Sequence, residues 1–217
     1  MKRFITITLL VMMPMGLFAK ETGEQIFWKW FQKNESKIYQ FEKNQEAILD
    51  EISEQLSKYK EGVVFEISQE QNGKREFILS ADGLKELFSA VQALKASAPR
   101  LEMWSIVAFR PRMNDYARFK LDYAGKEFYP ANMWIYHRIQ DGYFDLIIYH
   151  PEYTEEERNA FISGAYILLD MALGEYDVVT GIRYIDHQRL PERPEEEGLK
   201  PFSELRQIFD KYKAKNG

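Results

Sequence analysis

The sequence predicts an α+β protein with a mostly antiparallel sheet. Two hairpin–helix–strand units, ferredoxin-like in style, are expected between a long N-terminal helix and a short C-terminal one. Three observations predict this. Hydrophobic alternation of period two occurs twice, near residues 63–80 and 133–149, each time with a turn-forming pair in the middle. Each alternating stretch is followed by a stripe of helical spacing and one more apolar run. Stripes of period 3.6 flank the whole pattern.

Residues 24–59 carry Phe27, Phe31, Ile38, Phe41, Ile48, Ile52 and Leu56 at steps of three, four and seven, the spacing of one helix face. Thr22 with Gln25 three positions later predicts a capping box, in which each side chain satisfies the other's free backbone N–H. Asn34 interrupts the stripe and is the expected break between two helices. Gly62 ends the segment.

Strands are expected over 63–67 and 75–80, joined at Gln71, Asn72 and Gly73. Asp82 and Gly83 open a helix with Leu84, Leu87, Phe88, Val91 and Leu94 on one face, and Pro99 stops it. Residues 103–109 form a third strand. After a connection containing a short strand at 119–123, the order repeats. Strands at 133–139 and 143–149 turn at Asp141 and Gly142. A helix follows, with a capping box at Thr154 and Glu157 and a face of Phe161, Ile162, Ala165, Leu168, Leu169 and Ala172. Gly174 caps it, and residues 176–185 form the closing strand. The organisation is therefore 1–19, 20–60, 61–112, 113–188 and 189–217: leader, helical segment, first unit, connection with second unit, and acidic linker with tail helix. The tail stripe of Phe202, Leu205, Ile208, Phe209 and Tyr212 must dock on the sheet or on the N-terminal helix.

Residues 1–19 predict a secretory signal peptide. Lys2 and Arg3 precede a charge-free run that ends at Ala19, and Lys20, Glu21 and Glu24 follow at once. Pro14 and the shortness of the run disfavour a stable span, which needs about 20 apolar residues. A periplasmic or secreted location is expected. The chain has no cysteine, so no disulfide staples it and no lipid is attached at the cut. Hydrophobic residues make up 45% and aromatic ones 15%, which is enough for an ordinary packed core. The 217 residues hold 29 basic against 34 acidic side chains, and loss of Lys2 and Arg3 leaves a net charge of −7. That balance argues against a nucleic-acid partner, which needs a basic footprint.

Candidate chemistry is sparse. No HExxH, CxxC, GxSxG, Walker or GxGxxG spacing occurs, so no metal and no cofactor is expected. His137 and His150 extend apolar strand faces, and His187 lies beyond. Asp170, Glu175 and Asp177 surround a helix end, where capping explains them as well as function does. Arg110 and Arg112 flank Pro111 directly after a strand, with Arg118 near. Two guanidinium groups on a stiff loop could grip a carboxylate or phosphate, or pair with the acidic surface. Trp134, Tyr136 and Arg138 share a strand face, as do Tyr143, Asp145 and Tyr149. That aromatic–polar face suits binding or the seat of the tail helix.

The runs Ile78-Leu-Ser-Ala-Asp-Gly83, Ala98-Pro99, Trp104 with Ala108-Phe-Arg-Pro111, and Leu173-Gly-Glu-Tyr-Asp-Val178 resemble a family of uncharacterised bacterial proteins over about residues 24–187. The resemblance implies no activity and no site residue. The expected function is a non-enzymatic binding or accessory module for a protein partner, for instance an inhibitor or immunity factor, or for a small anionic ligand. The alternative is a small-molecule enzyme, such as a hydrolase, that uses Arg110 and Arg112 with acidic or histidine groups. Arg110, Arg112, Arg118, Trp134 and Tyr136 are the candidate ligand-binding residues.

Overall fold

The computed structural model describes residues 20–216. The leader assigned to residues 1–19 lies outside them. The fold is α+β, and the hairpin–helix–strand order occurs twice.

Helix α1 (Gly23–Tyr39) opens on the Thr22–Gln25 capping box, with Gln25 N donating to Thr22 Oγ1 and Thr22 N to Gln25 Oε1. The break comes later than Asn34. Asn34 stays helical, and its side-chain amide donates to the Trp30 carbonyl at 2.9 Å. A 3₁₀ turn at Phe41–Asn44 separates α1 from α2 (Gln45–Tyr59), which lets the two helices fold back and pack on each other.

Strand β1 (Val64–Ile67) pairs antiparallel with β2 (Arg75–Ser80) across a turn with Asn72 and Gly73 in the left-handed region. Helix α3 (Phe88–Ala96) crosses over, and β3 (Trp104–Ala108) returns parallel to β2. Leu84, expected on the helix face, precedes the helical turns and is 46% exposed. Phe27, Trp28 and Phe31 of α1 meet Phe77 of β2 and Trp104 of β3 in one aromatic cluster, with ring centroids 5.0–6.4 Å apart. Helices α1, α2 and α3 therefore cover one face of this three-stranded sheet.

The connection holds a hairpin of β4 (Leu121–Tyr123) and β5 (Lys126–Phe128). The second unit starts with β6 (Trp134–Gln140) and β7 (Tyr143–His150), antiparallel, with His137 opposite Leu146. Helix α4 (Arg158–Leu173) follows. The expected capping box does not form, because the helix begins after Glu157 and no side chain caps it. The expected strand from 176 is instead a short helix, α5 (Glu175–Gly181), and β8 (Ile182–Arg189) runs parallel to β7. The cause lies at Gly174 (φ +82), where the chain leaves α4, and at Glu175, whose carboxylate is held in the seam described below.

The tail returns through β9 (Lys200–Pro201), which pairs with β6, into α6 (Leu205–Asn216). Helix α6 packs on α4 and on the face of the sheet that carries Phe144, not on α1. Phe209 fills the space over Gly181, where an added Cβ would lie 2.4 Å from its ring. The strand order is β1-β2-β3 in one sheet and β8-β7-β6-β9 in the other. A ferredoxin-like arrangement would put both units in one sheet, whereas here each unit keeps its own sheet and its own core.

Candidate functional site: the cleft between the two units

Among the described residues, helices pack on one face of the first sheet and leave the other open. The opposite face carries Glu66, Glu76 and Ile78 and looks across a cavity of about 1120 Å³ at Ile162, Tyr166 and Asp170 of α4. Tyr123 of the small hairpin closes one side. The segment after β3, residues 109–114, runs between the units, and its residues 110–114 form the floor.

That segment is fixed by its backbone. Phe109 has φ +68, a region where a bulky side chain costs about 1–2 kcal/mol. Its amide donates to the Leu79 carbonyl at 2.7 Å, and its ring sits 4.5 Å from Phe88 and 5.4 Å from Tyr176. These contacts offset the strain, and the resulting kink sends Arg110 across the seam. Met113 N donates to Met171 O at 2.8 Å, and Glu175 N donates to Arg110 O at 3.0 Å.

Glu175 is fully buried. One carboxylate oxygen accepts from the backbone N–H of Ala81 (2.9 Å) and Gly83 (3.3 Å), the other from Arg110 N–H (3.1 Å). A buried carboxylate is tolerated only when such donors replace water. Glu175 is thus the pin that joins the second unit to two loops of the first.

Arg110 projects into the cleft. Its Nε donates to Glu66 at 2.5 Å, its Nη2 to Asp82 at 3.0 Å, and its Nη1 lies 3.5 Å from Asp170. Arg112 donates to the Leu173 carbonyl (2.7 Å), to Asp210 (2.8 Å) and to Asp177 (2.9 Å), tying α4, α5 and α6 together. Burial raises the Asp170 carboxyl to about 7. Arg110 opposes that rise, and the nearby Glu175 and Asp82 carboxylates add to it. A carboxyl that titrates near neutrality in a cleft marks a functional-site candidate.

The five residues expected to bind separate into three places. Arg110 and Arg112 line the cleft, with each guanidinium already paired to the chain's own carboxylates. Arg118 is exposed and lies outside the lining. Trp134 and Tyr136 sit on the outer face of the second sheet with Tyr143 and Tyr184, the last two 55% and 54% exposed. The tail helix does not cover this face. Asp145 lies there between Arg138 and Arg183, and the Arg183 hydrogen bond holds its carboxyl below the usual range.

Glu66, Glu76, Asp82 and Tyr166 join the site without a sequence signal, because strand register and the meeting of two units bring them together. His150 and His187 pair inside the second unit, with ring nitrogens 3.1 Å apart, while His137 stacks on Phe144. Burial holds both paired histidines well below their ordinary value. Among the described residues no group of three or more His, Cys, Asp or Glu could hold a metal, and no helix is long and apolar enough to cross a membrane.

No family model, curated protein or solved structure matches the chain. The resemblance to an uncharacterised bacterial family rests on its short motifs alone.

Proposed function

We propose that the chain is an exported binding module whose ligand seat is the cleft between its two units. The observation that carries this reading is the 1120 Å³ cavity walled by the open face of the first sheet and by α4. It is slightly larger than the roughly 300–1,000 Å³ of most ligand sites, and it combines apolar walls with a few convergent polar groups. Both units contribute side chains, so seating a ligand also holds the units together. The leader pattern at residues 1–19 supports a periplasmic or secreted location.

Pull-down from a periplasmic extract with residues 20–217 tests the seat, run beside Ser163→Trp, which fills the cleft from α4. The reading expects a partner or ligand captured by the parent and lost in an equally stable Ser163→Trp. Equal capture by both places binding elsewhere. N-terminal sequencing of the fractionated protein tests export: a start near Lys20 supports it, and an intact Met1 in the cytosol refutes it.

One observation favours a second reading, acid–base catalysis. Asp170 titrates near neutrality in the cleft, where a general acid or base works best. Turnover in a substrate screen that is lost in Asp170→Asn would move the protein into that class.

A further inference from the structure

We propose that the ligand of the cleft is a cation, an amine with an apolar body, seated with its ammonium group among Asp170, Asp82 and Glu66 and its body along Ile78, Ile162 and Tyr166. The inference rests on the cleft being the ligand seat and assigns the chemistry it takes.

The arginines set the sign of the charge. A loop of sequence Arg-Pro-Arg suggests an anion clamp, but each guanidinium nitrogen of Arg110 and Arg112 already faces a partner in the chain. An anion would have to break ion pairs that the fold has formed. The carboxylates are less fully used. The Arg110 contacts take one oxygen from each, Oε1 of Glu66, Oδ1 of Asp82 and Oδ2 of Asp170. The remaining oxygens are acceptors, and an ammonium has three donors to give.

The charge balance of the lining agrees. Glu66, Glu76, Asp82 and Asp170 stand against Arg110 and Arg112, and the Arg112 charge is met by Asp177 and Asp210, which lie outside the lining. The cavity is therefore acidic on its polar side. It also offers aromatic faces. Tyr123 is 38% and Tyr166 43% exposed, and both line the cavity. A cation beside such a ring gains further attraction. Asp170 is only 15% exposed, so an ion pair made there is less screened than one on the surface.

Ionisation of Asp170 should regulate the site. The groups around it are Arg110 from the segment after β3, Asp82 from the loop after β2, Glu175 from α5 and Tyr166 from its own helix, with Glu66 acting through Arg110. With the carboxyl titrating at about 7, the acceptor charge builds between pH 6 and 8, while an alkylamine, near pKa 10, stays cationic. Affinity should rise over that window.

Three probes of one shape and different charge test this: phenethylamine, 2-phenylethanol and 3-phenylpropanoate, each titrated into residues 20–217 and followed by NMR. The expected result is shifts at Ile162, Ile167 and Tyr166, with the amine binding at least about tenfold tighter than the alcohol and the propanoate weakest. Asp170→Asn should weaken the amine about tenfold, leave the alcohol unchanged and remove the pH dependence. Asp82→Asn, whose side chain is 62% exposed and whose φ of +50 asparagine tolerates, gives a second variant that leaves the core untouched. It should weaken the amine alone by several fold. Tighter binding of the propanoate, or equal losses for all three probes in both variants, overturns the cation assignment while leaving the seat. Shifts confined to residues outside the cleft overturn the seat and the assignment together.

Discussion

Glu175 shows what one side chain contributes. Its carboxylate satisfies three backbone N–H groups that have no other partner in the seam, two from the loop after β2 and one from the segment after β3. Glu175→Ala leaves those donors unpaired, the Ala81 amide in a buried position and the other two partly buried. The expected cost is roughly 3 kcal/mol, read as a lower denaturation midpoint, and faster amide exchange should appear at Ala81, Gly83 and Arg110. Unchanged exchange at these three positions would refute the role. The sequence placed Glu175 beside Asp170 and Asp177 at a helix end, and there its legibility stopped. Its partners lie more than sixty residues away, and backbone donors carry no residue type to recognise.

The same limit separates elements that the sequence predicts well from those it does not. Both hairpins, their turns at Asn72–Gly73 and Asp141–Gly142, and the Thr22–Gln25 cap depend on residues within a few positions of each other, and all form as expected. The closing strand starts six residues later than the apolar run predicts, although Tyr176, Val178 and Val179 have strand propensity. Tertiary contacts override it: Glu175 is drawn into the seam, and the chain turns once more as α5 before β8. Arg112, which holds α4, α5 and α6 through three partners, is the element-scale counterpart of Glu175. Gly164 gives a test of packing between elements. Alanine favours a helix over glycine by about 1 kcal/mol, but a Cβ at this position would lie 2.4 Å from the Phe128 ring. The clash dominates, so Gly164→Ala should destabilise by about 1–3 kcal/mol and loosen the β4–β5 hairpin. A rise in Tm would show that the ring moves aside freely.

At the scale of the whole molecule, pH acts in opposite senses on two buried sites of the second unit, the His150–His187 pair and Asp170. His150 and His187 are neutral in the folded protein and regain ordinary values near 6.5 on unfolding. The unfolded chain then binds more protons, so stability falls as pH drops below about 6.5, down to about 4 for the His187 contribution and about 3 for that of His150. Asp170 has the reverse sign. Its folded value of about 7 exceeds the ordinary 3.8, so the stability it contributes is complete below about 3.8 and is lost as pH rises to 7. The two windows overlap between about pH 4 and 6.5 with opposite slopes, so in thermal melts from pH 4 to 8 His187→Gln should weaken the rise of Tm with pH over that range, and Asp170→Asn should steepen it. The opposite changes would overturn this account of the buried groups. The two units themselves were legible as a repeated element order. The cleft was not, because it exists only where the open face of one unit meets the helix of the other. The outer face bearing Trp134 and Tyr136 is the rival seat, and it is on the opposite side of the second unit's sheet from α6.

The most direct measurement is therefore an NMR map of residues 20–217 with whatever the pull-down captures. The account predicts shifts at Ile162, Tyr166, Asp170 and Arg110, with Trp134, Tyr136 and Tyr184 unmoved. Shifts at those three aromatic residues, with the cleft unchanged, would contradict it.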